Sequence, residues 1–255
     1  MAPTDPLSIQ LYSARKFPPL DRQLQTIKEC GFTNVETFGG LYDDLPGLKA
    51  GLDRYGLTAK SGHFPLAMVE GEPQRVLDIA GALGISTIIP PFLPPAERPV
   101  DRFGWAAVGE RLAGGAACLH QKGLRLAWHN HDFEFKPLPD GSFPIEYLLA
   151  NGVLWEADIA WIIKAGVDPM VWLERYPDRI RLIHVKDIAP AGENENEDGW
   201  ADVGAGSVGW SQLWRYCVAA GTEIMVAEHD NPSDFERFAR VSAATMRDFA
   251  GRGAR

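Results

Sequence analysis

The stretch LRLAWHNHDFEF, Leu124–Phe135, decides how the rest of the chain is read. An apolar run of strand length breaks into His129, Asn130, His131, Asp132 and Glu134, the densest set of metal-capable side chains in the sequence. Strand alternation places Ala127, His129 and His131 on one face and Trp128 and Asn130 on the other. Two histidines facing the same way at the end of a strand, with carboxylates just beyond, can collect a divalent ion. Taken alone, the stretch reads equally well as a polar surface loop.

The same pattern recurs on both sides of it. A helical stretch is followed by a glycine and then by a short β-prone run ending on a polar or special residue. The runs end at Glu36, His63, Pro90, His129, Asp158 and Glu228, behind Gly31, Gly56, Gly84, Gly123, Gly152 and Gly221. Each glycine falls where a helix C-terminus needs a residue tolerant of positive φ. LSIQLY near the start and RIRLIHV, ending around His184, supply two further strands. Eight strands alternating with helices predict an α/β fold, a (βα)8 TIM barrel forming a single domain over 1–255. An open doubly wound sheet is the rival. It usually carries a glycine-rich loop after its first strand, and that place holds LYSARKFPPL. The acidic, glycine-rich tract Pro190–Trp210 predicts a long mobile loop after the seventh strand, either a solvated surface loop or a lid.

Composition narrows the function. Hydrophobic residues make up 45% and charged residues 23% of 255, as in an ordinary globular protein. No apolar run reaches the roughly eighteen residues needed to cross a membrane. MAPTDPLSIQ has no basic segment leading into an apolar one, so no signal peptide is expected. Cys30, Cys118 and Cys217 are odd in number and far apart, which suits reduced thiols in the cytoplasm. A net charge of −9 argues against a nucleic-acid partner.

In a closed barrel the carboxyl ends of all eight strands meet at one face, so scattered polar strand ends converge. Burying such residues unpaired would cost several kcal/mol each, and a divalent cation removes that cost. The expected ligands are Asp158, His184 and Glu228 with Glu134 as the fourth, His129 competing for that place. Acid and histidine donors without cysteine suit one ion of Mn²⁺, Mg²⁺, Co²⁺, Zn²⁺ or Fe²⁺. His129, His131 and His63 are candidates for proton transfer, and Lys186 for neutralising an oxyanion or a substrate carboxylate. A salt bridge to Asp187 or to the acidic loop is the alternative reading of Lys186. Trp128, Trp161 and Trp200 could floor a sugar ring, with barrel–helix packing as the alternative for each.

IQLYS at the start, Ser61–His63, Trp128–Phe135, Trp155–Pro169, Arg179–Asp187, Val203–Trp210 and Ala227–Asp230 together resemble the xylose isomerase-like TIM barrels, the sugar phosphate isomerases/epimerases. The resemblance runs almost end to end. It implies one divalent metal held by an acid on strand 5 and by Asp158, His184 and Glu228 on strands 6 to 8. On strand 5 the family usually carries Glu, paired with the strand 8 Glu for proton transfer; here the place reads His129-Asn130-His131. This departure points toward the inosose dehydratase-like branch. The trinuclear nucleases of this fold place a ligand histidine where Trp161 stands, which argues against them.

The expected activity is metal-dependent isomerisation or epimerisation of a sugar, sugar phosphate or keto-polyol by proton abstraction next to a carbonyl. A dehydratase on the same scaffold, and a sugar-binding barrel without turnover, are the alternatives. The expected partner is a small sugar or polyol, with no nucleic acid and no membrane; a homo-oligomer is compatible with the sequence.

Overall fold

The computed structural model describes residues 7–253; Met1–Pro6, where the signal-peptide reading falls, lie outside them. Among the described residues ten strands form: β1 (Leu7–Gln10), β2 (Asn34–Phe38), β3 (Thr58–His63), β4 (Thr87–Ile89), β5 (Arg125–His129), β6 (Leu154–Asp158), β7 (Ile180–Val185), β8 (Asp187–Ile188), β9 (Trp200–Ala201) and β10 (Ile224–Ala227). Eight of them close a barrel in the order β1-β10-β7-β6-β5-β4-β3-β2, with helices between successive strands. The pairings within it are parallel, so the expected (βα)8 topology is present and the open sheet is excluded.

Parallel barrel strands are covered on both faces, and the sequence provides for that with near-continuous burial. Leu7–Gln10 and Ile224–Ala227 are buried at every position, and β5, β6 and β7 at all but one. Helices turn into strands where the sequence predicted. The helix Leu45–Tyr55 starts on Asp44, whose side chain accepts from Gly47 N at 3.0 Å, and stops at Gly56 in the left-handed region (φ 60°). A side chain at Gly56 would meet the Cβ penalty that this conformation imposes.

The chain divides into two compact units, 1–60 with 182–255 and 61–181. In the first, register sets Gln10 beside Glu36 and Val226 beside His184. In the second it sets His63 beside Ile89 and His129 beside Glu156. Adjacent residues on one face of paired strands lie about 5 Å apart, so register alone makes polar neighbours of the strand ends.

The tract 190–210 is not the free loop its composition predicts. β8 and β9 pair antiparallel, and Glu197, Trp200, Val203 and Trp210 are buried. The acidic composition is offset locally by Arg237, which composition counting does not see. The three cysteines are unpaired thiols. No helix among the described residues is long and apolar enough to cross a membrane.

Candidate active site

Polar strand ends form a buried group in each unit. In the unit of β1, β2, β7 and β10, His184 is fully buried and sits between two carboxylates. Its Nδ1 lies 2.7 Å from Glu228 Oε2 and its Nε2 lies 2.8 Å from Glu36 Oε1. Gln10 Nε2 donates to the same Glu36 oxygen at 2.8 Å. Lys186, also fully buried, donates to Asp230 Oδ2 at 2.7 Å and lies 3.3 Å from Glu228 Oε2. A neutral imidazole can donate from only one nitrogen, so a histidine with a carboxylate on each side needs a further positive element, a proton or a metal ion.

In the unit of β3 to β6, one carboxylate oxygen serves two histidines. Glu156 Oε2 lies 2.7 Å from His63 Nε2 and 3.3 Å from His129 Nδ1. The rings of His63 and His129 are 5.0 Å apart, and that of His131 lies 5.1 Å from His129. Asn130 braces the neighbouring strand end: its Oδ1 accepts from Asp158 N at 3.0 Å and Trp155 Nε1 at 2.8 Å, and its Nδ2 donates to Asp158 O at 3.1 Å. Asp158 then caps the helix Ile159–Lys164 by accepting from Trp161 N at 2.9 Å.

Within 61–181, ligand atoms of His63, His129 and Glu156 lie within 4.8 Å of one another, as do those of His129 and Asp158; within 182–255, those of His184 and Glu228 make a second such set. All are buried nitrogen and oxygen donors without cysteine, a donor set that suits a divalent cation.

Glu134 is in neither set. The short helical turn Phe133–Phe135 carries its carboxylate to Trp128 Nε1 (3.0 Å) and to the backbone N–H of His131 (2.8 Å). Burial pushes its pKa up to about 8, against those two donors and Arg98, which lower it. Trp128 is fully buried behind it, in a packing position rather than at a ligand surface. Trp161 is half-buried with its ring 5.1 Å from His131, and Trp200 lies under Lys186, the Nζ 4.3 Å from the ring centroid. Lys186 pairs with Asp230 and not with Asp187, whose carboxylate accepts instead from the backbone N–H groups of Ile188, Gly204 and Val208.

Sequence reasoning passed over Glu36, Glu156, Asp230 and Gln10 as site residues. Glu36 and Glu156 were visible as polar residues on strand runs with the inward parity; what was lacking was the partner that makes each more than a core acid.

No protein-family profile matches the chain. A sugar phosphate isomerase/epimerase from Parabacteroides distasonis superposes with a TM-score of 0.78 at 22% identity, covering 94% of this chain and 93% of that one. The chain has the fold of the xylose isomerase-like TIM barrels. One of these, from Mycobacterium smegmatis and in complex with magnesium, superposes at a TM-score of 0.72 with 15% identity and 98% of each chain covered. Among curated proteins, inosose dehydratase of Geobacillus kaustophilus is 24% identical over 193 residues, which is 66% of this chain and 62% of that protein.

Proposed function

We propose that the protein is a divalent-metal-dependent isomerase or epimerase of a sugar, sugar phosphate or keto-polyol, acting by proton abstraction next to a carbonyl. We take 1–255 as a single catalytic domain that works on a small molecule in the cytoplasm, as the unpaired cysteines suit. The observation that carries this reading is the burial of nitrogen and oxygen donors at the strand ends of each unit, His129 and Asp158 in one and His184 and Glu228 in the other. These four would hold the ion, with His129 taking the place first given to Glu134. When bound, a divalent ion supplies Lewis acidity toward a carbonyl or hydroxyl oxygen.

The chain's own groups supply the proton transfers. Glu156 is the base best placed among the residues of 61–181: its carboxylate is buried, and His63 at 2.7 Å can return or pass on a proton. The half-buried His131, whose ring neighbours those of His129 and Trp161, is a second acid/base group. Lys186 neutralises negative charge developing on the substrate. Trp161 offers an apolar surface to a sugar ring.

A dehydratase is the second reading. It is favoured by the inosose dehydratase relative and by His131 just beyond β5, which can protonate a departing hydroxyl. Incubating keto-sugars and inososes with the protein and Mn²⁺ or Co²⁺ in D₂O tests both. Deuterium gained at the carbon next to the carbonyl, with no other mass change, supports the isomerase; loss of one water supports the dehydratase. Binding of such compounds with neither change would overturn catalysis and leave a sugar-binding barrel.

A further inference from the structure

The segment between β7 and the helix Trp210–Ala219 is tied at both margins, and what it holds in place is Lys186. At one margin, Asp187 gathers three backbone donors: Ile188 N at 2.9 Å, Gly204 N at 2.8 Å and Val208 N at 2.9 Å. The chain passes so close that a Cβ on Gly206 would come within 2.2 Å of Asp187 Oδ1 and 2.4 Å of Ile188 O. Trp210 Nε1 donates to Lys186 O at 2.8 Å, fixing the backbone of the lysine itself.

At the other margin, Glu197 is 3% exposed and takes Arg237 Nη2 on both oxygens, at 2.9 and 3.0 Å, and Ser233 N at 2.8 Å. Arg237 also reaches Asp202 at 2.8 Å, and Asn231 Nδ2 donates to Asn196 O at 3.2 Å. Between these margins, pairing of Trp200 with Ile188 sets the indole of Trp200 beside the Lys186 ammonium.

We propose that 187–210 is a fixed strap and that Trp200 is a positioning residue for Lys186. The indole holds the ammonium against the carboxylates of Asp230 and Glu228. A lid would need margins that release, and each of these is held by several hydrogen bonds, part-buried at Asp187 and anchored on the buried Glu197 at the other end. An ammonium over an indole face is attracted by the ring's quadrupole, most strongly where water is excluded. An unbranched lysine side chain otherwise has many rotamers, and the ring and the Asp230 carboxylate together leave it one. The role of Lys186 in turnover rests on the activity proposed above; its placement by Trp200 does not.

The test separates the two. Protein labelled with ¹⁵N-lysine is expected to show one protected ammonium resonance, displaced by the indole ring current and absent from Lys186→Met. Trp200→Leu keeps an apolar filler but removes the ring; the displacement and the protection from exchange should both be lost, and Trp200→Phe should restore them in part. An ammonium signal unchanged in Trp200→Leu, or no protected signal in the native protein, overturns the proposal whatever the activity proves to be. With a turned-over substrate in hand, Trp200→Leu should lower kcat about tenfold in the native background. It should do nothing further in Lys186→Met; equal losses in both backgrounds would mean that Trp200 acts through folding and not through Lys186.

Discussion

The two buried groups of polar strand ends solve different problems. Around His184 and Lys186 stand three carboxylates, Glu36, Glu228 and Asp230, with contacts of 2.7 to 2.8 Å. Around Glu156 stand two histidines, sharing one of its oxygens. The first group sets three carboxylates around one histidine and one lysine. The second has one carboxylate and two titratable rings, the composition of a proton relay. Strand register explains how such different groups arise from one repeated unit: each inward position near a strand's carboxyl end is shared by two neighbouring strands, so one residue change alters two pairings.

Breaking the second group should have the largest effect on turnover. Glu156→Gln keeps the shape but removes the base, and a loss of roughly a hundred- to ten-thousand-fold in kcat is expected, with metal affinity falling less, by at most about ten- to a hundred-fold, because Glu156 Oε2 also lies 3.3 Å from the ligand His129. Steady-state kinetics beside calorimetric metal titration would show it. If metal binding falls as far as turnover, Glu156 is a ligand and the division of labour fails.

The first group should answer in the opposite way. Glu36 fixes His184 through Nε2 at 2.8 Å, and a partner of this kind is worth about ten- to a hundred-fold in metal affinity. Glu36→Gln should therefore weaken metal binding by that factor, read by calorimetry with Mn²⁺.

Much of this was legible in the sequence, and the gaps have physical causes. Strand positions and the glycines behind them could be read because helix ends and buried parallel strands have strong local signatures. Asp158, His184 and Glu228 are buried at strand ends, where parity and resemblance both place them. Glu134 is expected at the metal because the resemblance calls for an acid at strand 5; the tight turn at 133–135 sends its carboxylate to Trp128 instead. The tract 190–210 looked mobile because its compensating charge, Arg237, lies on another element.

Smaller effects belong to stability. Arg237→Ala leaves Glu197 buried without its main partner and should cost roughly 1–3 kcal/mol, discounted for the half-exposed arginine, seen as a lower Tm. Shortening Glu193–Asp198 should lower Tm as well, since it removes Glu197. Burial alone would raise the Glu197 carboxyl, but hydrogen bonds from Ser233 and Arg237 outweigh it and hold the pKa at about 2. A folded-state pKa below the usual value of 4.5 adds stability above that pH, lost as pH falls toward 2. Arg237→Ala should flatten that acid limb.

Glu134 has the opposite sign. With its carboxyl pushed up to about 8, its contribution is present below about pH 4.5 and is lost as pH rises through 8. Glu134→Gln should remove that slope from urea midpoints measured between pH 5 and 8, and an unchanged slope would assign it to another group.

As proposed above, His129, Asp158, His184 and Glu228 would hold one divalent ion. Elemental analysis and Mn²⁺ titration of the native protein, Asp158→Asn, His129→Ala and Glu134→Gln test it together. About one ion per chain is expected in the native protein and in Glu134→Gln, with at least about a hundred-fold weaker binding in the other two. Full occupancy in Asp158→Asn and His129→Ala, or its loss in Glu134→Gln alone, would contradict it.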